Sequence, residues 1–204
     1  MRRGCRLSLV IAVLTMAMAR ASAADAPAAP PAASPPAAQA PAETPAQKLD
    51  ALYARLAVAK DSEEADGIVA AIGRLHVQSG SDAGDLLLAR ALTAIHRQDY
   101  DASQKILDSA IVVLPDWAEA WNTRATVRYL AGDYDGSMAD IAETLKREPR
   151  HLGALSGMGL ILEAEGKREE ALKVYQRALA IAPHLSSAEG AADRLKAALA
   201  GQAL

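Results

Sequence analysis

Few residues in this chain could do chemistry, and their spacing suits it poorly. Ser156-Gly157-Met158-Gly159 sets a hydroxyl among glycines, as a nucleophile turn or a phosphate-cradling loop would. Both of those need a strand entering the turn and a helix leaving it, whereas this stretch sits inside a helical pattern. Its small residues therefore read as letting another helix approach closely. Of the four histidines, His76 and His96 fall on helical stretches without nearby ligands, and His151 and His184 each follow a proline. No pair has metal-ligand spacing, so solvated or loop-packing roles are expected. Glu169-Glu170 reads as an ordinary exposed face. The single cysteine, Cys5, excludes a disulfide framework, a thiolate zinc site and a Cys-x-x-Cys redox motif. The expectation is a non-enzyme without catalytic residues, metal or cofactor.

The elements that must carry these residues are helical. The 204 residues are 51% hydrophobic but only 3% aromatic, with no Phe, so strand formers are scarce and an all-β core is not expected. At the amino end, Arg2, Arg3 and Arg6 precede an apolar run from Leu7 to Ala19, followed by Ala21-Ser22-Ala23. That order of charge, apolar run and small residues predicts a cleaved export signal over 1–23. The run is shorter than the roughly 20 residues that cross a bilayer. Gly4-Cys5-Arg6 lacks the apolar residues that would follow a twin-arginine pair, and Cys5 precedes the apolar run, which argues against lipid attachment. Removal of 1–23 leaves 18 Lys and Arg against 25 Asp and Glu, a net charge of −7, and no cysteine. A cysteine-free acidic chain suits the oxidising periplasm, and with no basic stripe in the sequence it is a poor ligand for nucleic acid or anionic membranes.

Proline divides the rest. Seven of the ten prolines lie between Pro27 and Pro45, in a stretch of Ala, Pro, Gln and Ser. Such a composition cannot offset its ordering entropy, so residues 24–45 are expected to form a disordered, polyproline-leaning linker. The other three prolines, Pro115, Pro149 and Pro183, are spaced by 34 residues. In the same register stand Gln98-Asp99-Tyr100, Gly132-Asp133-Tyr134 and Gly166-Lys167-Arg168, together with the small residues Ala91, Ala125 and Gly159. Each small residue follows a large one by four positions (Leu87, Trp121, Leu155), which puts both on one helix face. Gly then Asp breaks the first helix and caps the second, and the proline ends it. Units of this kind run over 84–115, 118–149 and 152–183, with a closing amphipathic helix at 186–200. Upstream, Thr44-Pro45-Ala46-Gln47 and Asp61-Ser62-Glu63-Glu64 each have capping-box spacing. They predict helices to about Ala59 and Gln78, so that 46–80 is a degenerate helix pair capping the stack.

The middle unit, from Ala118-Glu119-Ala120-Trp121 through Gly132-Asp133-Tyr134 to Pro149, resembles the tetratricopeptide repeat almost position by position. The resemblance covers 84–183 and implies an all-α solenoid of antiparallel helix pairs. It also implies a concave wall built from the first helix of each pair. That wall would present Asp85, Leu88, Leu92 and Ile95, then Glu119, Asn122, Thr126 and Tyr129, then Gly153, Ser156, Leu160 and Glu163. Lys and Arg, which clamp a terminal carboxylate in chaperone-docking repeats, are missing from all of these positions. An extended or helical polypeptide with apolar side chains is the implied partner. Trp117 is a second candidate contact, with packing between repeats as its alternative. Arg90 and Arg124 stand where such repeats usually place Leu, and Asp108 and Asp140 are their expected structural ion-pair partners.

Ser79-Gly80-Ser81, Asp85-Leu86-Leu87-Leu88-Ala89-Arg90 and Pro149-Arg150-His151 are moreover similar to a bacterial family of small exported tetratricopeptide proteins associated with cell-envelope integrity. That likeness, over about residues 48–185, implies a periplasmic protein-binding scaffold and supplies no ligand. A chaperone-like assembly factor for exported clients is the alternative.

Overall fold

A computed structural model describes residues 43–202. The export signal and nearly all of the linker lie outside them. Within them the chain is helical, in the order α1 (Pro45–Leu56), α2 (Ser62–His76), α3 (Asp82–His96), α4 (Tyr100–Val113), α5 (Ala118–Leu130), α6 (Tyr134–Arg147), α7 (Leu152–Ala164), α8 (Arg168–Ile181) and α9 (Ser186–Gln202). Among the described residues there is no strand, and no helix is long and apolar enough to cross a membrane.

Each repeat reverses for local reasons. Gly132 and Gly166 take left-handed backbone with φ of 82° and 74°, and Gln98, their counterpart in the first repeat, is forced to φ 59°. Asp99 and Asp133 cap α4 and α6 by accepting the amides of Ala102 and Gly136, while Lys167 leaves α8 without a side-chain cap. Small residues do what their spacing predicts. Ala91 and Ala125 are buried, and their carbonyls accept the Ser103 and Ser137 hydroxyls of the second helix at 3.1 and 2.7 Å. A Cβ on Gly159 would stand 2.5 Å from Tyr175 Cζ, so only glycine admits that ring.

Successive helices from α3 to α9 pack on one another, as an α-solenoid requires. The α1–α2 pair does not extend that stack. The expectation that it caps the first repeat is corrected: α2 makes no extended packing with α3, and the pair lies instead across the loops between repeats. Tyr53 donates to the Arg150 carbonyl at 2.9 Å, and Arg150 pairs with Asp50 at 2.9 Å while covering the Tyr53 ring. Farther along, Trp117 Nε1 donates to the His76 carbonyl at 2.8 Å, and Ser186 donates to Asp66. An apolar cluster runs from Tyr53, Leu56, Ile68 and Ile72 into Leu152, Leu155, Tyr175 and Leu185. Burial of the hairpin's own members of this cluster, Leu56, Ile68 and Ile72, at up to about 1.5–3 kcal/mol each, helps hold it to the loop edge.

Candidate functional site

The first helices of the second and third repeats, α5 and α7, enclose a trough of about 300 Å³ with α6 at its back. Asn122, Thr126 and Tyr129 line it from α5, Ser156 and Leu160 from α7, and Ile141 from α6. The α7 side is shallow because Gly153 and Gly157 present no side chain. Tyr129 stacks on Tyr134 at 5.4 Å, which fixes the ring at the trough edge. The Asn122 amide donates to Glu119 at 3.1 Å, so its carbonyl oxygen is the free end. No cation lines the trough. It is suited to apolar side chains, with an amide oxygen and hydroxyls for backbone groups.

The structure therefore brings Asn122, Thr126, Tyr129, Ser156 and Leu160 together, with Gly153 beside them. The others expected on the wall are placed differently. Leu88 is 3% exposed and packs in the core with Ala91, Leu107 and Val127, and Ile95 packs against the same cluster. Leu92 is 41% exposed but lies outside the trough. Asp85 is bound to the amide and hydroxyl of Ser79 at 2.8 and 2.6 Å. Glu163 accepts from the Tyr175 hydroxyl at 2.7 Å; burial first, then this bond, keeps that phenol protonated far above its ordinary range. Glu119 is likewise committed, to Asn122, Thr123 and His151. A wall position counts toward binding only if its polar atoms are not already spent inside the protein. Of the apolar patch expected from the first repeat, Leu88 is core and Ile95 half-buried against it, and Leu92 alone is exposed.

Among the expected ion pairs, Arg124 forms a bidentate pair with Asp140 at 2.9 and 2.7 Å, and its remaining nitrogen reaches Asp108 at 2.6 Å. Arg128 adds a third cation-side contact to Asp140 at 2.9 Å. The Arg90–Asp108 pair does not form: Arg90 is exposed and makes no ion pair among the described residues. The register explains this, since 34 positions before Asp140 stands Ile106, which offers Arg90 no carboxylate. Asp108 turns instead to the next repeat. The Arg124 and Arg147 guanidinium groups each stand over the Trp121 ring, at 4.9 and 4.5 Å. Trp117 packs between repeats instead of standing free.

Sequence reasoning missed one cluster. His76 of α2 stacks on His151 at 4.5 Å and 17°, and the side-chain ligand atoms of His76, His151 and Glu119 lie within 4.8 Å of one another. The expectation that His76 has no nearby ligand is thereby corrected; nothing local relates residues 76, 119 and 151. His151 caps α7, its Nδ1 accepting the Ala154 amide at 3.1 Å, so Nε2 carries the proton given to Glu119 at 3.1 Å. With that nitrogen protonated and the rings nearly parallel, the lone pairs do not converge on one point. The geometry fits a hydrogen-bonded seam better than a metal centre. Burial opposes ionisation of Glu119, but hydrogen bonds from His151 and Asn122 outweigh it and hold the carboxyl below its usual range. His76 Nε2 is buried without a partner. Burial, then the neighbouring His151, pushes the His76 ring down to about 4.

Fold and trough together define a tetratricopeptide α-solenoid. Residues 153–185 match the Tetratricopeptide repeat family. A TPR repeat-containing protein of Rhizobium etli is 40% identical over 158 residues, covering 78% of each chain. The chain belongs to the tetratricopeptide-repeat family. Among solved structures, the first TPR of Spaghetti (RPAP3), bound to the HSP90 peptide SRMEEVD, superposes with a TM-score of 0.55 at 21% identity, covering 59% of this chain and 95% of that one. The Arabidopsis OM64 TPR domain does so with a TM-score of 0.54 at 17% identity, covering 56% and 95%. At these identities the likeness is one of fold.

Proposed function

We propose that this protein is a non-catalytic periplasmic scaffold that holds a segment of a polypeptide partner in the α5–α7 trough, in support of cell-envelope integrity or assembly. The observation that carries the reading is the trough itself: Asn122, Thr126, Tyr129, Ser156 and Leu160 surround an open, cation-free cavity of about 300 Å³. A terminal carboxylate would find no counter-charge there. A segment in extended or helical form would bury apolar side chains and satisfy backbone groups on the amide and hydroxyls. The peptide bound to the Spaghetti domain is a precedent for polypeptide capture by this fold. The periplasmic part rests on the export signal expected over 1–23.

Peptides selected from a display library against the chain beginning at Ala24 test the trough. Binding should fall at least tenfold with Tyr129→Ala and with Gly157→Leu, which fills the shallow wall. It should be unchanged by Lys173→Gln on the outside. Equal loss from the outside control, or none from the trough variants, would remove the assignment. Selection of one saturable sequence class fits a scaffold, and indiscriminate weak binding fits an assembly chaperone. Location is tested by cell fractionation with amino-terminal sequencing, and an uncleaved cytoplasmic chain would refute export.

A further inference from the structure

Each pair in a helical array has two flanks, and both are covered except at the ends of the stack. The α1–α2 pair turns one flank onto the loop edge, and its other flank has no neighbour among the described residues. That open flank is a cleft of about 440 Å³ between the two helices. Leu52 and Leu75 are half-buried at its floor, Leu52 also touching the apolar cluster beneath. Lys48 and Arg55 of α1, at helical spacing around Leu52, and Arg74 of α2 stand exposed on the rim. None of the three joins an ion pair among the described residues. Glu43 is the one acid on that rim. Elsewhere Arg124, Arg128, Arg147 and Arg150 are all consumed by internal carboxylates. In a chain with net charge −7 after Ala23, Lys48, Arg55 and Arg74 thus set three unpaired cations around one apolar floor.

We infer that this flank docks an acidic amphipathic segment of another protein, with leucine-sized side chains on the floor and carboxylates against Lys48, Arg55 and Arg74. A concave floor between two helices takes side chains, whereas a membrane surface calls for a protruding apolar ridge. The site shares no residue with the α5–α7 trough and stands or falls separately from it.

The probes are a fluorescein-labelled helical peptide of Glu and Leu and its counterpart with Gln for every Glu, followed by anisotropy on the chain from Ala24. The acidic peptide should bind, and bind more tightly than the Gln peptide. Joint substitution Lys48→Gln, Arg55→Gln and Arg74→Gln should weaken it about tenfold, each exposed pair supplying about a twofold factor. High salt should erase the difference. A control with Lys105→Gln, Lys146→Gln and Lys173→Gln changes the net charge equally and should keep full affinity; circular dichroism checks that both variants fold. Equal affinity for the two peptides, or equal loss in the control, overturns the inference. So does charge-dependent binding of phosphatidylglycerol vesicles without the acidic peptide, or a dimer of this chain that the rim substitutions abolish.

Discussion

Protonating His76 should loosen the hairpin from the loop edge, and the size of the effect follows from the seam. In the unfolded chain the imidazole titrates near 6.5, while in the fold it is pushed down to about 4, first by burial and then by His151 across the stack. Glu119 and Glu148 pull the other way and Arg150 reinforces the drop. The folded protein therefore binds the proton less readily than the unfolded one. Stability is full above about pH 6.5, declines as pH falls toward about 4, and the contribution is gone below that. At 1.36 kcal/mol per pH unit the gap corresponds to about 3 kcal/mol. His76 is only half-buried, so we take about 2 kcal/mol. The assay is urea unfolding of the chain from Ala24, and of His76→Phe, at about pH 7 and about pH 4.5. Phe keeps an aromatic ring against His151 and has no proton to take up, and the carboxylates titrate in both proteins. The variant should lose about 2 kcal/mol less stability on acidification. If both proteins lose stability in parallel, the buried neutral imidazole is not what couples the hairpin to pH.

Other substitutions test the repeat itself, by thermal or urea melts. Gln98→Gly relieves the one left-handed non-glycine turn among the described residues and should add about 1 kcal/mol, whereas Gly132→Gln should cost a similar amount. Lys167→Asp supplies the cap that the other two repeats have and should add about 1 kcal/mol. Gly159→Ala drives a methyl into the Tyr175 ring and should cost about 1–3 kcal/mol, while Gly157→Ala, with its nearest neighbour at 3.5 Å, should add about 0.5–1 kcal/mol. Asp140→Ala strands Arg124 and Arg128 against a 2%-exposed site and should cost about 3–5 kcal/mol; Asp108→Ala, at 56% exposure, should cost under about 1 kcal/mol.

What was legible beforehand was whatever repeats or is local. Pro115, Pro149 and Pro183, the corners at 98–99, 132–133 and 166–167 and the large–small pairs fix helix bounds to within a few residues, because each acts on its own backbone. Thr44 and Asp61 cap the helices their spacing implies. The seat of α1–α2 was not legible, because it depends on Tyr53 meeting Arg150 and His76 meeting His151, contacts that no period encodes. Half of the wall positions lie away from the trough for a related reason. Helical position says which way Glu119, Glu163 and Leu88 point but not whether His151, Tyr175 or Val127 has already claimed them.

The place of the trough follows from where the repeats stop being alike. Gly153 stands in register with Glu119 and Asp85, and Gly157 with Thr123 and Ala89. In the second repeat the side chains at these positions turn inward, Glu119 to His151 and Thr123 to Glu119, and so close the wall over themselves. In the third repeat there is nothing to turn inward, and the space stays open between α5 and α7. The same glycine that empties the wall lies against the seam: a Cβ on Gly153 would meet His151 Cε1 at 3.3 Å and Asn122 Nδ2 at 3.7 Å. Trough and hairpin seat thus share His151, Glu119 and Asn122 as one hydrogen-bonded chain.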